Sequence, residues 1–113
     1  MDLLVRLIGA SELRAKVISA NIANQNTPGY KRRVVEFEEH LKGALLEPGG
    51  RTSEVEPSVL IDEETEARRP DGNNVLLEEE MNGLRENRLL AETYLAILRG
   101  HFNLLQAAIT EGR

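Results

Sequence analysis

The sequence predicts a mainly α-helical fold in which long N- and C-terminal helices pair as a coiled coil around an irregular middle segment. Three observations support this: an apolar heptad pattern over 77–109, an apolar helical stripe over 2–24, and turn-forming clusters between them. The middle has room for one short β-hairpin. A chain of 113 residues is one domain by length. We therefore expect a single domain over 1–113, divided into an N-terminal helix at 1–24, a turn and middle segment at 25–74, and a C-terminal helix at 75–112.

The N-terminal helix is predicted over residues 2–24, where the apolar side chains fall on one broad helical stripe. The stripe comprises Leu3, Leu4, Leu7, Ile8, Leu13, Val17, Ile18 and Ile22. Pro28 cannot continue a helix and disfavours helical backbone at Thr27. Pro28-Gly29 is also a turn dipeptide. On physical grounds alone, this segment is a helix terminus followed by a sharp turn.

The middle segment contains three short patterns. Residues 31–37 are predicted to be extended and residues 38–46 to form a short helix. Ser58 to Ile61 form a candidate strand, which would pair either with Val34-Val35 or with the segment near Ala67.

Two charged runs also lie in this part of the chain, the basic triplet 31–33 and the acidic run 62–66. We interpret both as solvated faces, because the acidic run lacks the glycine and the ligand spacing of a calcium loop. A second turn cluster at 70–74 precedes the C-terminal helix. Glu78, Glu79 and Glu80 would lie in that helix's first turns, where carboxylates suit the macrodipole.

The C-terminal helix carries a heptad pattern, with spacings of four and three residues. We call this row the heptad seam; it comprises Leu77, Met81, Leu84, Arg88, Ala91, Leu95, Leu98, Phe102, Leu105 and Ile109. A second apolar row runs beside it through Leu90, Tyr94, Ile97, Leu104 and Ala108. At ~1.5 Å per residue the helix is roughly 50 Å long. Such a rod needs another long helix and neighbouring subunits to bury it.

Arg88 is the charged member of the heptad seam, and we expect it to be paired. Glu92, four residues further on, is the local candidate partner. Asn21 and Asn24 would be opposite if the helices run antiparallel. The alternative is that Arg88 simply points into water.

Composition excludes several classes of function. The net charge of −5 argues against a general nucleic-acid binder, and no apolar run approaches the ~20 residues of a membrane span. Asp2 and Arg6 interrupt the apolar start, which argues against a cleavable signal peptide. His40 and His101 lack a partner set with metal spacing. With no cysteine and no glycine-rich phosphate loop, we expect no enzyme, no cofactor, no metal and no small-molecule substrate.

Residues 19–32 resemble the N-terminal signature of the bacterial flagellar axial proteins, the rod and hook group. The residues that carry this resemblance are Asn21, Asn24, Asn26, Thr27, Pro28, Gly29, Tyr30 and Lys31. Residues 70–75, Glu80-Met81, Glu86-Asn87 and the ending at 101–109 are similar to the small proximal rod proteins of that family. Leu76 departs from the pattern, because the family more often has a capping Asp or Asn there.

The resemblance implies a structural subunit that stacks helically with itself and with other flagellar rod proteins to transmit torque across the periplasm. It implies paired terminal helices forming an inner tube, an outward-facing middle and contact with a membrane-ring adaptor protein. Export by the flagellar type III apparatus without a cleaved signal peptide is also implied. The alternatives are the sister proximal rod protein, a soluble coiled-coil adaptor and, more distantly, an enzyme of unknown type.

Overall fold

The computed structural model describes residues 2–67 and 69–112. It contains helices α1 (Asp2–Ala23), α2 (Glu38–Leu46) and α3 (Leu77–Glu111), and strands β1 (Arg33–Glu36) and β2 (Ser58–Ile61). A 3-10 turn lies at Thr52–Glu54. The predicted mainly helical architecture, with long terminal helices in contact, is confirmed. Within the described ranges, no helix combines the length and apolar character needed to cross a bilayer.

Helices α1 and α3 pack side by side in opposite directions. Asn21 contacts Glu80 near the end of α1, and Ser11, further back in α1, accepts a hydrogen bond from Asn87. Between these contacts, Gly83 of α3 lies next to the side chain of Ile18 in α1. Helix α1 has 22 residues and α3 has 35, so α3 continues beyond the start of α1. Residues 99–111 of α3 are all exposed, and we call them the C-terminal overhang.

Helix α3 begins at Leu77, two residues after the predicted boundary. Leu76 is the residue before the helix, and its side chain makes no capping hydrogen bond. Its backbone carbonyl accepts the first helical hydrogen bond, from Glu80 N at 3.0 Å. The missing Asp or Asn therefore leaves the helix start without a side-chain cap.

Strands β1 and β2 form an antiparallel hairpin in which Val34 lies opposite Leu60 and Val35 opposite Val59. The first of the two predicted pairings is therefore correct, and the alternative near Ala67 is not. The hairpin packs against α1 through β1, which brings the middle segment against the N-terminal helix.

The apolar core is small. Phe37 is fully buried between Ala10 of α1 and Leu41 of α2, and Leu7 and Val55 pack against this cluster. Phe37 lies at the junction of β1 and α2, so one side chain joins three elements. Among the residues that the structure describes, this cluster is formed by α1 and the middle segment and includes no residue of α3.

The heptad seam does not lie on α1. Helix α1 contacts the adjacent face of α3, on which Glu80 and Asn87 are buried. Of the seam positions, Leu84, Ala91 and Leu98 are half-buried. The other apolar seam residues are 38% to 65% exposed; they are Leu77, Met81, Leu95, Phe102, Leu105 and Ile109. The helices pair as predicted but leave most of the seam accessible, and its role in assembly stays a prediction.

Candidate functional site

The signature segment that follows α1 folds into a compact turn. Helix α1 ends at Ala23, and the Asn24 side chain donates back to Ala20 O over 2.8 Å. The Thr27 hydroxyl donates to Asn24 Oδ1 at 3.1 Å. Gly29 then adopts a φ of 73°, in the left-handed region that glycine enters without steric cost. The chain therefore turns sharply and enters β1.

Asn21 is the buried centre of this region, with no exposed surface. Its Nδ2 donates to Arg33 O at 2.8 Å and to Glu80 Oε2 at 3.1 Å. Its Oδ1 accepts from Arg33 N at 2.9 Å and from the Tyr30 hydroxyl at 3.2 Å. One amide thus joins α1, β1 and α3. It also provides hydrogen-bond partners for the backbone N–H and C=O of Arg33 at the outer edge of β1.

The second turn cluster docks directly against the first. Asn73 Nδ2 donates to Asn24 O at 2.9 Å and to Thr27 O at 2.8 Å. Lys31 Nζ donates to Gly72 O at 2.5 Å. Gly72 also has a positive φ, of 86°. Two clusters that each look like an isolated turn in the sequence therefore form one contact.

Asn74 connects the same contact to the end of the hairpin. Its Oδ1 accepts from Arg32 N at 2.6 Å, and its Nδ2 donates to Asp62 O at 2.9 Å and to Thr65 O at 3.2 Å. Asn74 is 3% exposed, and its three bonds join the entry to α3 to the residues just before β1 and just after β2.

Arg32 lies between two carboxylates. Its Nε donates to Glu80 Oε1 at 2.7 Å and its Nη1 to Asp62 Oδ2 at 2.6 Å. Burial alone would lower the pKa of Arg32, but its bonds to Glu80 and Asp62 outweigh burial and raise it. Burial raises the pKa of Asp62, but hydrogen bonds from Thr65 and Arg32 outweigh it and lower that pKa to about 2.

These ion pairs correct two sequence-based interpretations. The basic triplet is not wholly a solvated face, because Arg32 is half-buried and paired with two carboxylates. The acidic run is solvated at Glu63, Glu64 and Glu66, but Asp62 is half-buried. Alternating strand geometry places Arg32 and Asp62 opposite each other at the end of the hairpin, which charge counting along the chain does not reveal.

We call this set of contacts the polar clasp; it comprises Asn21, Tyr30, Arg32, Asp62, Asn73, Asn74 and Glu80. Of the signature residues, Asn24, Thr27, Gly29 and Lys31 contribute to it through the turn, whereas the exposed Asn26 and Pro28 make none of its hydrogen bonds. Glu80 is 1% exposed, although the sequence pattern assigns it only to the first turns of α3 and to the family resemblance and gives no sign that it is buried. Its spacing of seven residues from Asn87 is the available signal, because both lie on one face of α3.

Arg88 is paired with the predicted local partner, since its Nε lies 3.3 Å from Glu92 Oε1. The Arg88 side chain is nevertheless 82% exposed, so the pair lies on the surface. Asn21 and Asn24 are not opposite it, because Asn21 contacts Glu80.

A groove of about 550 Å³ lies beside the clasp, between α1, β1 and α3. Apolar side chains such as Val17, Val34 and Leu90 line it, with the Arg14–Glu38 ion pair at its edge. Asn87 also lines the groove. Its Nδ2 donates to Ser11 O at 2.8 Å, whereas its buried Oδ1 has no hydrogen-bond partner in the described part of the chain. The clasp itself is a set of hydrogen bonds and ion pairs that joins α1, α3 and the middle segment.

Comparison with known proteins identifies the relatives of this chain. A family model described as flagella basal body rod protein matches residues 10–31, the end of α1 and the signature turn. The flagellar basal body rod protein FlgB of Borrelia hermsii is 31% identical over 128 aligned positions, covering 96% of this chain and 94% of the relative. FlgB of Bacillus subtilis is 27% identical, covering 94% and 89%. FlgB of Escherichia coli K12 is 30% identical and covers 83% of each.

Proposed function

This chain belongs to the FlgB family of flagellar basal body rod proteins, and from that premise we propose that neighbouring rod subunits pack against its exposed heptad seam. The chain is a structural subunit of the proximal rod and not an enzyme. As a rod protein it assembles with other flagellar rod components. The named relatives are all FlgB proteins, which favours this member over the sister proximal rod protein and over a soluble adaptor.

The C-terminal overhang is the observation that supports this proposal. Residues 99–111 are entirely exposed, yet they include Phe102, Leu104, Leu105 and Ile109, each more than half exposed. Isolated helices of this length are marginal in water, and so large an apolar surface on one chain indicates an interface. The overhang and the seam are continuous along α3, so one neighbouring helix can cover both.

The proposal extends to the partners and the route of assembly. We propose that copies of this chain associate helically with one another and with other rod proteins, and that the innermost copies contact the adaptor protein of the membrane ring. The rod lies in the periplasm, and the flagellar type III apparatus exports the chain without cleavage of a signal peptide. These points rest on family membership, and the apolar terminal helices are compatible with them.

We propose that the polar clasp transmits load between the helical pair and the middle segment. Residues 1–24 and 75–112 then form the inner part of a single domain over 1–113, and residues 25–74 face outward. The signature residues contribute through the turn that joins these parts. Buried, fully bonded polar groups resist small changes of angle better than apolar contacts do, because hydrogen bonds are directional.

The substitution Phe102→Asp tests the role of the seam. In a strain that lacks its own copy of the protein, we expect this variant to give no complete rods and no swimming, because a buried unpaired carboxylate costs several kcal/mol. Phe102 is exposed in the single chain, so circular dichroism of the purified variant should match the wild type.

Leu89→Asp is the matched control, because Leu89 is exposed on α3 but belongs to neither apolar row. We expect this variant to swim. Normal motility and normal basal bodies with Phe102→Asp would show that the seam is not an assembly surface.

A further inference from the structure

The hairpin has one closed edge and one open edge. On the outer side of β1, Asn21 bonds both the N–H and the C=O of Arg33, and Arg14 donates to Val35 O. The sheet has only two strands, so the outer side of β2 is paired with no strand of the described chain.

The register determines which groups the open edge presents. Asp62 N donates to Arg32 O at 2.9 Å, and hydrogen-bonded pairs alternate along an antiparallel ladder. Leu60 therefore directs its N–H and C=O toward β1, whereas Val59 and Ile61 direct theirs away from it. Within the described residues, no side chain or turn makes a hydrogen bond with the backbone N–H or C=O of Val59 or Ile61.

The open edge is also apolar on both faces. Val59, Leu60 and Ile61 are 45%, 42% and 55% exposed. Natural proteins normally protect such an edge with charges, a bulge or a covering element, because it pairs readily with another strand. Here the strand itself carries no charged residue.

The charges on either side of β2 favour one kind of partner. Residues 54–66 contain six Asp and Glu and no Lys or Arg, and only Asp62 among them is paired with Arg32. Two copies of this edge placed together would therefore repel each other at both ends. An extended segment with basic ends complements the same surface.

We propose that the open edge of β2 binds an extended segment of another protein by strand addition, and that this segment has apolar residues in its centre and Lys or Arg at its ends. Main-chain hydrogen bonds to Val59 and Ile61 supply affinity, and contacts with their exposed side chains supply specificity. The proposal stands on the hairpin alone and does not depend on the packing of the heptad seam.

Two synthetic peptides, KKTVTVTKK and EETVTVTEE, serve as probes in a titration of the labelled chain followed by nuclear magnetic resonance. We expect the basic peptide to shift the amide signals of residues 58–61, to slow exchange of the Val59 and Ile61 amides, and to bind at least about tenfold more tightly than the acidic peptide at low salt.

Val59→Pro removes an outward N–H without removing a bond of the hairpin, as proline allows on an edge strand. We expect this variant to bind the basic peptide at least about tenfold more weakly than the wild type does. The affinity of Val59→Thr should stay within roughly twofold of the wild-type affinity. The amide of Leu60 should remain protected in both variants. The double variant Glu63→Gln with Glu64→Gln leaves the strand unaltered and should also bind the basic peptide more weakly.

The proposal is overturned if neither peptide shifts residues 58–61, or if Val59→Pro binds as the wild type does. It is also overturned if the two peptides bind equally. Concentration-dependent dimers that Val59→Pro abolishes would assign the edge to a second copy of the chain instead.

Discussion

Replacing Glu80 by Ala is expected to destabilise the chain by about 3 kcal/mol, because it removes the acceptor of one buried and one partly buried hydrogen bond. Glu80 is 1% exposed, and its oxygens accept from Arg32 Nε at 2.7 Å and Asn21 Nδ2 at 3.1 Å. Removing one member of a buried ion pair costs about 3–5 kcal/mol. The lower end applies because the Arg32 side chain is 22% exposed and keeps its bond to Asp62.

Glu80→Gln separates charge from hydrogen bonding at the same position. The amide keeps one acceptor oxygen for Arg32 but turns an NH₂ group toward Asn21 Nδ2, which is itself a donor. We therefore expect a smaller loss of about 2 kcal/mol. The order of stability should be wild type, then Glu80→Gln, then Glu80→Ala.

Urea unfolding of the purified chain, followed by helical circular dichroism, measures these losses as shifts of the midpoint at constant slope. Glu78→Ala is the matched control, because Glu78 is an exposed carboxylate in the first turn of the same helix. It should cost at most about 1 kcal/mol through the macrodipole. If Glu80→Ala costs no more than Glu78→Ala, the clasp does not stabilise the junction and the reasoning is wrong.

Three further outcomes are expected. The lowered pKa of Asp62, about 2, contributes stability that is complete above the ordinary aspartate pKa of about 4 and is lost as pH falls toward 2; urea midpoints between these pH values should fall in the wild type and stay flatter in Asp62→Asn. Arg88→Leu should change the stability of the isolated chain by about 0.5 kcal/mol or less, because its pair with Glu92 is exposed; a loss above 2 kcal/mol in thermal unfolding would show that the pair is structural. Amide exchange in the monomer should be faster over residues 99–111 than over residues 80–94, and equal protection would contradict an unpartnered overhang.

The helices and the hairpin could be predicted because their signals are local. Apolar spacing gives α1 and α3 to within two residues, and the breakers at 25–29 and 48–50 separate the short elements between them. The observed pairing of β2 with Val34-Val35 is also one of the two pairings that the sequence predicts. Periodicity and turn chemistry act over a few residues, so one chain is enough to see them.

The clasp could not be predicted because its bonds join distant parts of the chain. Asn73 contacts Asn24 across 49 positions and Asn21 contacts Glu80 across 59. Asparagines are common in turns, and a carboxylate in the first turns of a helix suits the macrodipole. The turn asparagines and Glu80 therefore have a local explanation, and the sequence gives no reason to expect long-range bonds from them. The same limit explains the error about Arg32 and Asp62, which become neighbours only when the hairpin forms.

The face of α3 that α1 covers is polar, and this explains why the heptad seam remains exposed. Two amphipathic helices would bury most apolar area by placing the seam between them. Instead, Glu80 and Asn87 lie in the contact and bond to Asn21 and to Ser11 O. Rotating α3 to bury the seam would break these bonds and leave the buried amide of Asn21 without its acceptor on α3, at a cost of about 1–3 kcal/mol. Single polar residues fix register in coiled coils in the same way. The polar contacts therefore hold α3 in an orientation that leaves most of its apolar row exposed.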